Sequence, residues 1–406
     1  MRCIVVLLAL LASYPLIAQG TFTPTAIVSL RGVNASGPES WAAGGWGRMN
    51  GGGDRNDLFA TVRAGVDWKP AQWLTLHVSG LARHEPETYE GRNAGILEAY
   101  ADANFAAGRE EFRIRAGHFF LPTSRENRED LWSSPYTLSL SAINTWIGEE
   151  FKPTGVELQW KHSNSIGILT TAATAFRNND TSGTLLAWRG WSVGDRLSVY
   201  GETVALPALP SFDQFFLRQR DGTEPFGQDL DGRLGYAGRV RWTLPERMTI
   251  QVAHIDNGGD RLLYADQYSW DTRFDIIGAD FGNLDRTSVA TEYIRGKTGM
   301  GEKTSPAYVD ADFNAFYLLV SQRLGKERFT ARYDVFSVIE KDGSRGESSD
   351  DDGRSWTLTW MHDLRDHFRA ALEFTQVTGT HPAAEGAGVP TAFDGRSVTA
   401  EIRYSF

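Results

Sequence analysis

The last ten residues alternate without a break, with Val398, Ala400, Ile402, Tyr404 and Phe406 on one parity and Ser397, Thr399, Glu401, Arg403 and Ser405 on the other. Successive side chains of a β-strand point to opposite faces, so this is a strand with one apolar and one wet face. The stretch from Leu58 to Trp68 repeats the pattern, setting Leu58, Ala60, Val62, Ala64, Val66 and Trp68 against Phe59, Thr61, Arg63, Gly65 and Asp67. It recurs at Leu74, Leu76 and Val78, at Ala99, Ala101, Ala103 and Phe105, and at Leu234, Tyr236, Gly238, Val240 and Trp242, with Arg233, Arg239 and Arg241 opposite the last set. A slip of one residue would put Arg63 and Asp67 on the apolar face. An Arg facing lipid at mid-bilayer costs about 2–4 kcal/mol, so the parity is enforced if that face meets lipid. A soluble sandwich is the alternative for any one such strand.

Composition decides between them. Mean hydropathy is −0.34, and after the N-terminus no run of about eighteen apolar residues occurs, which excludes ordinary membrane helices. A closed barrel still spans a bilayer with such a composition, because it pairs every backbone group between strands and conceals its hydrophobicity by alternation. Residues 1–18 have the layout of a secretory signal peptide: Arg2, an apolar stretch from Ile4 to Leu16, and a small-residue cleavage site at Ala18. The single cysteine, Cys3, lies within it, so disulfide, thiol and cysteine-metal chemistry are not expected of the mature chain. The balance of 51 Asp+Glu against 41 Lys+Arg argues against nucleic acid as a partner.

Residues 19–406 therefore read as one all-β, antiparallel up-and-down transmembrane barrel in a bacterial outer membrane. Short links at residues 69–72, 107–110, 162–165, 193–195, 245–247, 279–283, 324–326 and 364–366 take turns with longer polar stretches, as short periplasmic turns and long outer loops should. Counting segments predicts about eighteen strands, with sixteen as the alternative because the stretches 185–191 and 268–277 are weak strands. Trp68, Trp73, Trp242, Tyr404 and Phe406 gather at the short-turn end, where an aromatic girdle belongs. The strands start too soon after residue 18 to leave room for a plug or a separate domain.

A barrel of this size is too wide for side chains to fill. What narrows it should then set its function. The longest loop, residues 120–153, carries Arg125, Glu126, Arg128, Glu129, Asp130, Glu149, Glu150 and Lys152, a net charge of −2 from five acids and three bases. Rich in aromatics and bounded by prolines, it is the candidate constriction loop; an outer cover or a subunit contact is the other reading. Arg63, Arg83, Arg113, Arg115, Arg239 and Arg241 fall on inward parities and are the candidate basic wall of the pore. Asp67, Glu98, Asp102, Glu157, Glu202, Asp271, Asp275, Asp312, Glu373 and Glu401 also read as inward, and cross-strand ion pairing accounts for them equally well.

The mature chain resembles Gram-negative outer-membrane porins. The stretch Arg113-Ile-Arg-Ala-Gly-His-Phe-Phe-Leu-Pro122, a strand running into a proline-bounded loop, locally resembles the phosphate-selective porin O and P type. That resemblance implies a homotrimer passing small anions along inward arginines, with Arg113 and Arg115 at the matching positions. The acidic loop and the inner carboxylates depart from that pattern. A general diffusion channel for small hydrophilic or ionic solutes is therefore expected, with a phosphate-like anion channel or a closed or catalytic barrel as alternatives. The terminal Phe406 resembles the signal read by the barrel-insertion machinery, and lipid and lipopolysaccharide are the expected surroundings.

No catalytic, metal or cofactor site is expected. His162 and Ser163 are adjacent but lie at a turn, and His77, His118 and His254 stand singly on strands without metal-ligand spacing. The acidic run from Ser348 to Gly353 lacks the alternating ligand spacing of a calcium loop and reads as a solvated outer loop.

Overall fold

A computed structural model of the chain describes residues 20–86, 89, 91–213, 222–305, 307–343 and 347–406. The expected leader and Cys3 lie outside them. The strands in chain order are β1 (Thr21–Ser36), β2 (Arg55–Ala71), β3 (Leu74–His84), β4 (Ala94–Ala107), β5 (Glu110–His118) and β6 (Thr154–Asn164). They continue as β7 (Gly167–Arg177), β8 (Gly235–Leu244), β9 (Met248–Asp256), β10 (Leu263–Tyr264), β11 (Gln267–Tyr268) and β12 (Asp271–Gly282). The last six are β13 (Thr287–Met300), β14 (Val309–Leu324), β15 (Glu327–Glu340), β16 (Asp351–Arg365), β17 (Phe368–Thr380) and β18 (Ala392–Ser405).

All but the small hairpin β10–β11 close into one antiparallel barrel in which each strand pairs with its sequence neighbour and β18 returns to β1. The count is sixteen, not eighteen. Of the two weak stretches, 268–277 runs into the wall strand β12, whereas 185–191, together with the segment after the supposed turn at residues 193–195, is not a wall strand. Residues 179–199 instead pack inside the barrel, and the apolar segment around Leu185 forms the helix α2 (Thr184–Trp188). Buried apolar residues in a lumen and in a strand look alike in sequence, because both are shielded from water. The supposed turn at residues 193–195 belongs to this same loop.

The expected parity holds on the wall. Leu58, Val78, Val240, Val398 and Ile402 are exposed outward, whereas Arg63, Arg239, Glu401 and Arg403 are buried inward. At the short-turn end, Phe22 stacks on Trp68, Trp73 on Phe105, and Phe368 meets Tyr404. The seam is fixed by long β1–β18 pairing, and Ala26 exchanges backbone hydrogen bonds of 3.0 and 3.1 Å with Phe406.

Three acids are placed differently from expectation. Asp275 faces outward beside His254 and Arg295, and Asp312 outward beside Lys297 and Lys341. Asp271 shares the parity of Asp275, since Phe274 and Ile276 are the buried inward neighbours. They sit toward the long-loop end, above the apolar belt, where an outward charge stays in water. Arg233 precedes β8 and pairs with Asp260 at the rim.

Candidate functional site: the loop-filled lumen

Two loops fold into the barrel. Residues 119–153, between β5 and β6, cross the lumen to the far wall. There the Leu138 and Ser139 backbone amides donate to Glu373 at 2.6 and 2.8 Å, and the Ala142 amide donates to Asp334 at 3.1 Å. This loop carries the helix α1 (Ala142–Glu150), whose N-cap Ser141 accepts from the Asn144 amide. Every residue of α1 is buried. The side chain of Asn144 donates to Glu126 and to Glu292, joining helix, loop and wall.

The centre of this arrangement is Arg332 on β15. Its fully buried guanidinium reaches Glu126 at 2.7 Å and Asp334 at 2.9 Å, and donates to the carbonyls of Ser139 and Leu140. A planar five-donor group suits this multiple task, and a lysine would not. Residue parity gave no hint of Arg332 as special; only its partner Glu126, 206 positions away, makes it so.

Loop 4, of which residues 178–213 and 222–234 are described, packs on loop 3. Arg189 pairs with Glu149 at 2.8 Å, Trp41 of the first outer loop donates to the same carboxylate, and Lys152 donates to the Ser198 carbonyl. Asp351 accepts from Arg48 and from the Trp191 amide, at 2.7 and 2.8 Å. The acidic run 348–353 is thus not wholly solvated: Asp351 latches the first and fourth outer loops to β16. Trp191 packs edge-on against Trp146 and Phe313.

These loops sit against an unexpected surface. Many inward residues of β12–β15 are apolar, including Phe274, Ile276, Ile294, Phe313, Leu319 and Phe336, all buried with Trp146 and Trp191 in one cluster. A strand such as β14, with Phe313, Ala315, Tyr317 and Leu319 on one face and Phe316, Leu318 and Val320 on the other, is apolar on both sides. That is the sequence signal of a filled lumen, since a wall facing water would not tolerate it.

Glu150 is buried beside this cluster, accepting from Trp146 Nε1 and from the Leu185 amide. Loss of hydration pushes its carboxyl up to about 7. A raised folded-state value favours the neutral form, so its contribution is complete below the ordinary carboxylate range and is lost as pH rises through about 7. Glu150→Gln should therefore lessen, by about 3 kcal/mol at most, the fall in stability that the parent shows between pH 4.5 and 7. Urea unfolding in detergent across that range checks this; an identical slope in both proteins would refute it. Lys152, pushed down to about 7 by the same loss of hydration, acts with the opposite sign above neutrality.

The remaining wall and loop charges are largely paired. Arg113 meets Glu157 at 2.6 Å, Arg115 holds Asp102 bidentately and lies over the Tyr100 ring, and Arg83 holds Glu202. Arg63 meets Asp195 at 2.9 Å and Arg239 meets Glu157 at 3.4 Å. Arg241 donates to Gln251 and to the Pro122 carbonyl. In loop 3, Arg125 and Arg128 approach Asp280, Glu129 lies between Arg369 and Arg403, and Asp130 is exposed. Cross-strand and loop-to-wall pairing thus accounts for most of the charges expected to line a pore.

Toward the periplasmic end a cavity of about 670 Å³ remains, lined by four carboxylates, Asp67, Glu98, Glu129 and Asp130, and four arginines, Arg115, Arg125, Arg128 and Arg241. The loop 3 tip forms one side. Leu131 and Trp132 there both adopt the left-handed region (φ 57° and 55°), and Trp132 stacks on Phe120 at 4.2 Å. Gly65 leaves room for this tip, since a Cβ on it would lie 3.2 Å from the Leu131 side chain. Higher up, between the loops and the inner face of β17, β18 and β1–β3, lies a second cavity of about 60 Å³.

His162, near the end of β6, is bonded to Glu110. His77 is bonded to Asp67 and His254 to Asp275.

No family model matches the chain, and no curated protein matches it either. Solved structures do. The outer membrane channel DcaP of Acinetobacter baumannii aligns with a TM-score of 0.58 at 10% identity, over 97% of this chain and 99% of that one. The Salmonella typhi OmpF in complex with daunomycin gives 0.55 at 10% identity (96% and 98%), and an anion-selective porin from Comamonas acidovorans gives 0.52 at 10% (95% and 100%). At such low identity the likeness concerns architecture. The chain has the closed sixteen-strand fold of the outer-membrane porins.

Proposed function

We propose that the protein is an outer-membrane channel for passive diffusion of small hydrophilic or ionic solutes, narrowed by the third outer loop. The observation that carries this reading is the charged cavity of about 670 Å³ between the loop 3 tip and the wall. Its balanced lining of carboxylates and arginines suits small polar solutes of either sign better than one dedicated ligand. A homotrimer fits the same reading. An anion preference has one specific support: Arg113, Arg125, Arg239 and Arg241 lie close together with Glu157 and Asp280 as their carboxylate partners.

Single-channel recording in a planar bilayer under a salt gradient tests this. Discrete steps are expected, smaller than an unfilled barrel of this circumference would give, and closing in threes if the trimer forms. The sign of the reversal potential separates a general from an anion-preferring pore. Folded, inserted protein that shows no steps would sink the diffusion reading in favour of a closed or catalytic barrel.

A further inference from the structure

We infer that solutes follow not the barrel axis but the β1–β2–β3 wall, and that Asp195 of loop 4 closes this path by standing, as a tethered carboxylate, where a passing anion would bind. The inference rests on the diffusion-channel reading and adds its route and its gate.

The route follows from where matter is packed. One side of the lumen is filled by the apolar cluster on β12–β15. The two cavities share the opposite side and lie on a single row of inward positions along β2: Thr61 and Arg63 line the upper one, Gly65 and Asp67 the lower. Alternate residues of a strand are about 7 Å apart, so the cavities follow one another directly along the wall.

The gate lies in the upper cavity, which Arg31, Arg63 and Asp195 line. Asp195 is 2.7 Å from Arg31 and 2.9 Å from Arg63, and Asn50 donates to it at 2.7 Å. Arg31 also holds Glu401. Arg403 shares Glu401 at 2.9 Å, so three guanidiniums here face two carboxylates. Removing the Asp195 charge leaves Arg63 without its carboxylate and Arg31 held by Glu401 alone, which adds one positive charge to the group and opens a place for an anionic group from solution. A carboxylate on a loop, unlike one on the wall, is also able to withdraw and restore passage. Loop 4 then adds a second narrowing, above the one that the loop 3 tip makes.

With its expected leader removed, the chain has no cysteine, so single thiols report position cleanly. Thr61→Cys, treated with a charged methanethiosulfonate during recording, should lose at least half its conductance. Ala290→Cys, placed in the apolar cluster, should lose none. Asp195→Asn should conduct at least twofold more than the parent and shift its reversal potential toward anions. A conducting channel untouched by confirmed labelling at Thr61, or blocked at Ala290, overturns the route. An Asp195→Asn channel with parental conductance and reversal potential overturns the gate. A parent protein that does not conduct at all defeats the diffusion reading itself, and the path with it.

Discussion

Arg332→Met should destabilise the barrel by about 3–5 kcal/mol, read as a lowered urea midpoint in detergent. The side chain is fully buried, and its loss leaves Glu126 and Asp334 as uncompensated charges and takes a donor from the Ser139 and Leu140 carbonyls. The cost comes from the orphaned partners more than from the pair itself, because burying two charges consumes most of what their attraction returns. The triple variant Arg332→Met, Glu126→Gln, Asp334→Asn should therefore recover a substantial part of the loss. A second readout is specific to loop 3: with its clamp to β15 gone, the trypsin sites after Arg125 and Arg128 should open in the folded barrel. A single variant as stable as the parent, or a triple no better than the single, would show that Arg332 is not the anchor of loop 3.

Trp191→Ala should cost a similar amount, about 3–5 kcal/mol for deleting a large buried aromatic. Its ring is wholly buried against Trp146 and Phe313, and its Nε1 donates to the Ser337 carbonyl. Its main-chain bond to Asp351 survives the substitution, so loop 4 should loosen without being released. Recordings should show larger and noisier openings, whereas Trp242→Ala, at the periplasmic girdle, should leave the conductance alone. Quiet parental steps from folded Trp191→Ala protein would mean that loop 4 does not depend on this anchor.

Both predictions concern residues whose roles were not legible in the sequence. Arg332 stands at an ordinary inward position, and its meaning depends on Glu126 and on carbonyls from a loop far away in the chain. Trp191 lies in a stretch that reads as part of a strand. By contrast, Arg63, Arg113, Arg239 and Glu401 were correctly turned inward from parity alone. Their partners were less accessible. Arg113 and Glu157 belong to adjacent strands and could be paired in principle, but Asp195 reaches Arg31 and Arg63 from a loop that periodicity assigned to the wall.

The sequence by itself determined the barrel, its closure at Phe406 and which side chains face out, because a lipid–water boundary imposes a strict two-residue period and penalises every slip in register. It also carried, in the two-faced apolar strand β14, the sign that part of the lumen is dry. Only the tertiary structure decided the strand number, the inward folding of loop 4 and the pairing of the interior charges. Local alternation records how polar each side of a strand is. It holds no record of what fills the space across the barrel, since those contacts join segments that nothing local in the chain relates to one another.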